Sequence, residues 1–209
     1  MTTVVRLSIG ECESLALKAL RGVGCDWGIA QEGAFAVGML CERGVPALRS
    51  LAVLTQAYDA HGRVAPPACC PLTLGVRIMD SVDAVAALDA SAKTTVVAPV
   101  LMLPFVARAL DDAAEAVVLN WQSGAVHISP GLDIGFAAAR ALGGVSVDVL
   151  ENCLRAPVAE QGKYVSVQER RAEVWRRCLS MLEAFAHRTY VPASEASRAS
   201  GAGGEGPDD

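Results

Sequence analysis

Two consecutive helix signals near the N-terminus, each closed by glycine, constrain this chain most. Ser8-Ile9-Gly10-Glu11 is a capping-box pattern, in which a serine and a glutamate satisfy the free amides of a helix start. Ile9, Cys12, Leu15, Ala16, Ala19 and Leu20 follow as one apolar face at helical spacing, and Gly22 and Gly24 end the run. Asp26 is placed to cap a second helix over Trp27–Arg43, closed by Gly44 with Pro46 beyond. A third helix is expected over Ala47–Tyr58. Such a segment folds as a helical hairpin or a three-helix layer.

The rest of the chain alternates between helix and strand signals. A Pro-rich loop spans Arg63–Pro71, and Ser81 is placed to cap a helix through Asp89. Thr94–Ala98 reads as a buried strand, and Pro104 opens a helix ending near Asp111 and Asp112. Ala116–Trp121 and Ala125–Ser129 read as a β-hairpin joined through Gln122-Ser123-Gly124. Ser129-Pro130 is expected to start a helix that stops at Gly143-Gly144. Val145, Val147 and Val149 alternate with Ser146 and Asp148, the pattern of a half-buried strand. A second capping box, Ser166-Val167-Gln168-Glu169, introduces a last helix with the stripe Val174, Trp175, Cys178, Leu179, Leu182, Phe185 and Ala186. The expected fold is α/β, with α+β as the alternative: a helical N-terminal layer packed on a small mixed sheet. One domain is expected over residues 1–192, with a Ser/Gly-rich acidic tail over 193–209.

Composition excludes several function classes. Aromatic residues are only 5% of the chain while apolar residues are 52%, so the core must be built from Ala, Val and Leu. The net charge of −5 disfavours nucleic acid as a partner. Arg170, Arg171, Arg176 and Arg177 interleave with Glu169, Glu173 and Glu183, which reads as a solvated, salt-bridged helix face. No apolar run reaches the roughly 20 residues of a membrane span, and no basic-then-apolar leader pattern opens the chain. A cytoplasmic protein is expected, its seven cysteines reduced. Cys69 and Cys70 sit in the loop PPACCP, with His61 as the nearest imidazole, and no metal motif accompanies them. Phosphate-loop and nucleophile-elbow patterns do not occur, and no motif implies a cofactor.

Two places are candidates for chemistry. Glu32 falls between two apolar surfaces of the second helix, Ile29, Gly33, Ala36 and Leu40 on one side and Phe35 and Met39 on the other. A carboxylate so placed needs a partner or a raised pKa. Arg21 is the candidate partner, and Trp27 would wall a pocket beside it. A buried ion pair fixing the hairpin is the structural alternative to a general base or ligand anchor. His127, on a hairpin strand, either faces solvent, pairs with Asn120 or serves as an acid or base; His187 reads as a helix-dipole partner. The C-terminal segment gathers Arg188, Tyr190, Ser194, Glu195, Ser197 and Arg198 ahead of a glycine run, a composition suited to an anion-binding loop or flap.

Both ends of the chain resemble a bacterial family known only as domain of unknown function 3726. The resemblance rests on Glu11, Lys18-Ala19-Leu20-Arg21-Gly22-Val23-Gly24 and Trp27-Gly28-Ile29-Ala30-Gln31-Glu32. At the other end it rests on Arg188-Thr189-Tyr190-Val191-Pro192-Ala193-Ser194-Glu195, Ser197-Arg198 and Gly201-Ala202-Gly203. Gln31 stands where the family has glutamate, and the ending Gly204-Glu205-Gly206-Pro207-Asp208-Asp209 departs from its acidic-Asn-Asp close. The resemblance implies a role for the C-terminal segment and brings no activity with it. Two functions follow as expectations. One is a small-molecule enzyme or ligand-binding domain for an anionic carboxylate or phosphate metabolite, its site joining Arg21–Glu32 to Arg188–Arg198. The other is a non-catalytic subunit or homo-oligomeric assembly protein, with Trp27 and Tyr190 as interface anchors.

Overall fold

The computed structural model describes residues 3–60, 70–113, 115–130, 133–156 and 171–190. The N-terminal helical layer forms as its signals require. Strand β1 (Val4–Ser8) runs directly into α1 (Ile9–Gly22), where both halves of the Ser8–Glu11 capping box are made. The Ser8 amide and hydroxyl hold the Glu11 carboxyl below the usual carboxylate range, with Arg171 adding to the effect. Helix α2 (Trp27–Glu42) starts at Asp26, whose side chain makes no capping bond, and α3 (Ala47–Ala60) follows the Gly44 turn. Gly44 has φ +66°, a left-handed conformation that closes α2 without the penalty a side chain would bring.

Helix α8 (Arg176–His187) packs closely against α1. A Cβ added to Gly22 would lie 1.8 Å from the Phe185 carbonyl oxygen. Helices α4 (Pro71–Met79) and α5 (Ala84–Ala90) lead to β2 (Thr94–Val97) and a 3-10 turn over Pro99–Met102. Helix α6 (Leu103–Ala113) then packs between the helical layer and the five-stranded sheet. The Ser81-to-Asp89 helix is shorter than expected, because Asp83 rather than Ser81 caps it, accepting from the Ala86 amide at 2.9 Å. Helix α4 begins at Pro71, where the expected loop ends, and occupies a stretch for which no element is expected. Its Gly75 sits against the Phe105 ring, a close approach rather than a helix break.

The strands form two antiparallel sheets instead of one mixed sheet. Strands β3 (Ala116–Trp121) and β4 (Gly124–Ser129) make the expected hairpin. They continue a five-stranded sheet in the order β2-β6-β3-β4-β5, with β5 at Asp133–Ile134 and β6 at Val147–Ala156. The helix expected from Ser129 onward starts only at α7 (Phe136–Leu142). On β6 the alternation holds with its polar side inward. Val147 is exposed, while Asp148 is buried and accepts from both the Ser123 hydroxyl and amide. Removing that acceptor takes a partner from both Ser123 donors and from the Val149 amide, so Asp148→Ala is expected to cost about 1–3 kcal/mol in denaturant unfolding. Asp148→Asn, which keeps an accepting oxygen, should recover most of it.

The second sheet pairs β1 with β7 (Arg171–Trp175), from Val4 opposite Trp175 to Ser8 opposite Arg171. This corrects the expected last helix: Arg171–Trp175, within its expected span, is a strand, and the helix itself begins at Arg176. Glu173 accordingly pairs with Arg6 at 3.0 Å across the ribbon, not along a helix face. The capping box at Ser166–Glu169 lies outside the described residues. No described helix is long and apolar enough to cross a membrane.

Candidate functional site

Glu32 sits at the edge of the core. Its partner is Arg108 of α6, with Nη1 2.9 Å from the carboxylate, and both side chains are a little over one-third exposed. Arg21, the expected partner, turns the other way. It donates to the Cys25 carbonyl and lies 5.5 Å from the Trp27 ring. Arg108 in turn stacks 5.3 Å over Phe35. The outer face of α2 thus presents Trp27 and Phe35 to solvent, each covered by an arginine. An ion pair this accessible contributes little. Glu32→Gln is expected to shift unfolding by less than about 1 kcal/mol in a urea titration, whereas a loss of 3 or more would mean a buried pair.

The C-terminal residues that are described dock on the same end of the helical layer. Arg188 pairs with Asp59 of α3 and lies 4.6 Å over the Phe185 ring. Tyr190 accepts from Lys18 of α1 at 3.4 Å and stacks on His187 with ring centroids 5.4 Å apart. Ser194, Glu195, Ser197 and Arg198 lie outside the described residues. His127 stands opposite Val118, not Asn120, and its Nδ1 is 3.4 Å from the Ser129 hydroxyl. Asn120 bonds instead to Asn152 at 2.7 Å.

A larger concave feature lies at the opposite end of the layer, among residues that sequence reasoning did not connect. A cavity of about 680 Å³ opens between the α2–α3 turn, the start of α3 and strand β7. That volume is within the roughly 300–1,000 Å³ of small-molecule sites. Its charged lining is Arg6, Arg49, Arg171 and Glu173, with Trp175 as an aromatic wall. The cationic excess stands out in a chain of net charge −5. Glu173 neutralises Arg6, and Glu11 faces Arg171, whereas Arg49 makes no ion pair among the described residues and lies 5.1 Å from the Trp175 ring.

Backbone electrostatics add to this charge. Helices α3 and α8 both begin at the cavity, and neither has an acidic residue in its first turn. Each instead carries arginine there, Arg49 in α3 and Arg176 and Arg177 in α8. Cations at a helix start oppose the dipole by roughly 0.3–1 kcal/mol each. A bound anion would relieve that repulsion. The geometry therefore suits a small anion with an apolar or planar part: guanidinium groups for the charge and the Trp175 face for the rest.

Comparison with known proteins adds a family but no activity. Residues 7–91 match the model of the family described as a protein of unknown function, DUF3726, a stretch that runs from the end of β1 through α5. This is the family that the two ends of the sequence resemble, and the matched part takes in the Arg21–Glu32 motif and the Gly44–Arg49 wall of the cavity. Neither the curated proteins nor the solved structures give a significant match.

Proposed function

We propose that this chain is a ligand-binding domain for a small anionic metabolite, a carboxylate or phosphate, held in the cavity between the α2–α3 turn and strand β7. The observation that carries this reading is the convergence of Arg6, Arg49 and Arg171 on one cavity, beside two helix starts without acidic residues. Arg49 supplies the charge with no competing carboxylate among the described residues, Arg171 and Arg6 widen the positive field, and Trp175 gives the apolar contact. A thermal-shift screen against carboxylate and phosphate metabolites tests it. Stabilisation by one of them in wild type, lost in Arg49→Ala/Arg171→Ala, supports the reading. No stabilisation by any phosphate or carboxylate contradicts it.

A second reading rests on the opposite end of the layer. Trp27, Phe35 and Tyr190 are exposed there, beside Arg21, Glu32 and Arg188, and exposed aromatic–arginine pairs suit an interface with a protein partner or a second copy. In this reading the chain is a non-catalytic subunit, and Trp27 and Tyr190 anchor it. Trp27→Ala/Phe35→Ala would then lower the oligomer mass seen in light scattering, or abolish binding of a purified partner, without altering anion binding.

A further inference from the structure

Given the anion site proposed above, the order of charges around the cavity narrows its ligand further. Strand β7 alternates: Ala172 and Val174 are covered, while Arg171, Glu173 and Trp175 are exposed together on the other face. Neighbours on one face of a strand lie about 7 Å apart. Arg49 of α3 reaches the far end of this row, 5.1 Å from the Trp175 ring. Along the cavity wall the charges therefore run cation, carboxylate, cation: Arg171, Glu173, then Arg49 over Trp175. A uniformly cationic wall would suit any small anion. This one has a carboxylate at its centre.

Glu173 is only half engaged. Arg6 donates to it from Nε at 3.1 Å and from Nη2 at 3.0 Å, and both bonds fall on Oε1. Oε2 has no hydrogen-bond partner among the described residues. Both side chains of the pair are more than half exposed, so the pair contributes little and rearranges at little cost. A simple dianion spanning Arg49 and Arg171 would meet the like charge of Glu173 at its middle. An ammonium at that position turns the repulsion into a charge-assisted hydrogen bond.

We infer that the ligand of this cavity is an acidic amino acid, in which an ammonium group is flanked by two carboxylates. One carboxylate lies on Arg49 and the other on Arg171, the ammonium donates to Glu173 Oε2, and Trp175 packs on the carbon chain at the Arg49 end. Glu173 is then the residue that sets specificity, selecting amino acids over the corresponding plain diacids. Arg6 competes with the ligand for the same carboxylate.

Calorimetric titration of the full chain with matched pairs tests this. The probes are aspartate against succinate and glutamate against glutarate, with inorganic phosphate as a simple anion; members of a pair differ only in the ammonium group. In wild type the amino member should bind roughly 5–20-fold more tightly, a modest value for a charge-assisted bond because the site is open to solvent. Glu173→Gln should bring the two members to within about 2-fold, with the plain diacids bound no more weakly than before. Arg6→Ala frees Oε1 and should widen the preference. If Glu173 acted only by orienting Arg6, the two variants would shift the preference in the same direction, which would overturn the inference. Equal binding within each pair in wild type, or binding of phosphate alone, would overturn it too and leave the anion site standing. Absence of binding by every probe would also overturn it, and the broader metabolite screen then decides the anion site separately. Both substituted side chains lie at the surface, so neither change opens the core.

Discussion

Replacing Gly22 by alanine is expected to destabilise this protein by about 3–5 kcal/mol, near the upper end of single-substitution effects. Alanine ordinarily stabilises a helix relative to glycine, so helix propensity alone predicts the opposite sign. Gly22 ends α1 where that helix touches α8, with the space for its Cβ occupied by the Phe185 carbonyl group. A flexible side chain could move aside; backbone cannot, and the two helices would have to separate along their length. The melting temperature should fall by roughly 10 °C. Gly28→Ala is the internal control. It also lies in a helix, with nothing within 4 Å of the new Cβ, and should be neutral or stabilising by about 0.5–1 kcal/mol. Equal effects at the two positions would contradict the close α1–α8 contact.

The second large effect is expected at the cavity. Arg49→Ala should weaken binding of a phosphate or carboxylate ligand roughly 10–100-fold, the value of one charge-assisted hydrogen bond of about 1.5–3 kcal/mol. Stability should change little or even rise, because Arg49 in the first turn of α3 opposes the helix dipole. Arg49→Lys separates charge from shape. It keeps the cation but loses the planar group stacked on Trp175 and the two-pronged geometry toward an oxyanion. Binding read by calorimetry should recover only in part. Full recovery would mean that the cavity supplies a positive field without specific geometry.

Local signals carried the N-terminal layer into the sequence reading almost unchanged. The capping box at Ser8, the glycine stops and the β3–β4 hairpin depend on residues within a few positions of one another, and the structure keeps them. Nonlocal pairing was not legible. The stripe from Val174 through Ala186 reads as helix from its start, yet Arg171–Trp175 is a strand because β1 supplies its hydrogen-bonding partner from the other end of the chain. That same pairing assembles the cavity, bringing Arg6 and Arg171 to Arg49, three residues with nothing in common along the sequence. Glu32 shows the intermediate case. Its boundary position on α2 was readable from angular spacing, whereas its partner Arg108 arrives from α6 through tertiary packing.

The most direct test of the anion-site claim is a thermal-shift titration comparing wild type, Arg49→Ala/Arg171→Ala and Glu32→Gln. The probes are inorganic phosphate and a set of organic phosphates and carboxylates, at low and high salt. Stabilisation of wild type and Glu32→Gln, weakened by salt and abolished in the double-arginine variant, is the result the account predicts. Stabilisation that survives in Arg49→Ala/Arg171→Ala, or that vanishes only in Glu32→Gln, would contradict it and move the site to the opposite end of the helical layer.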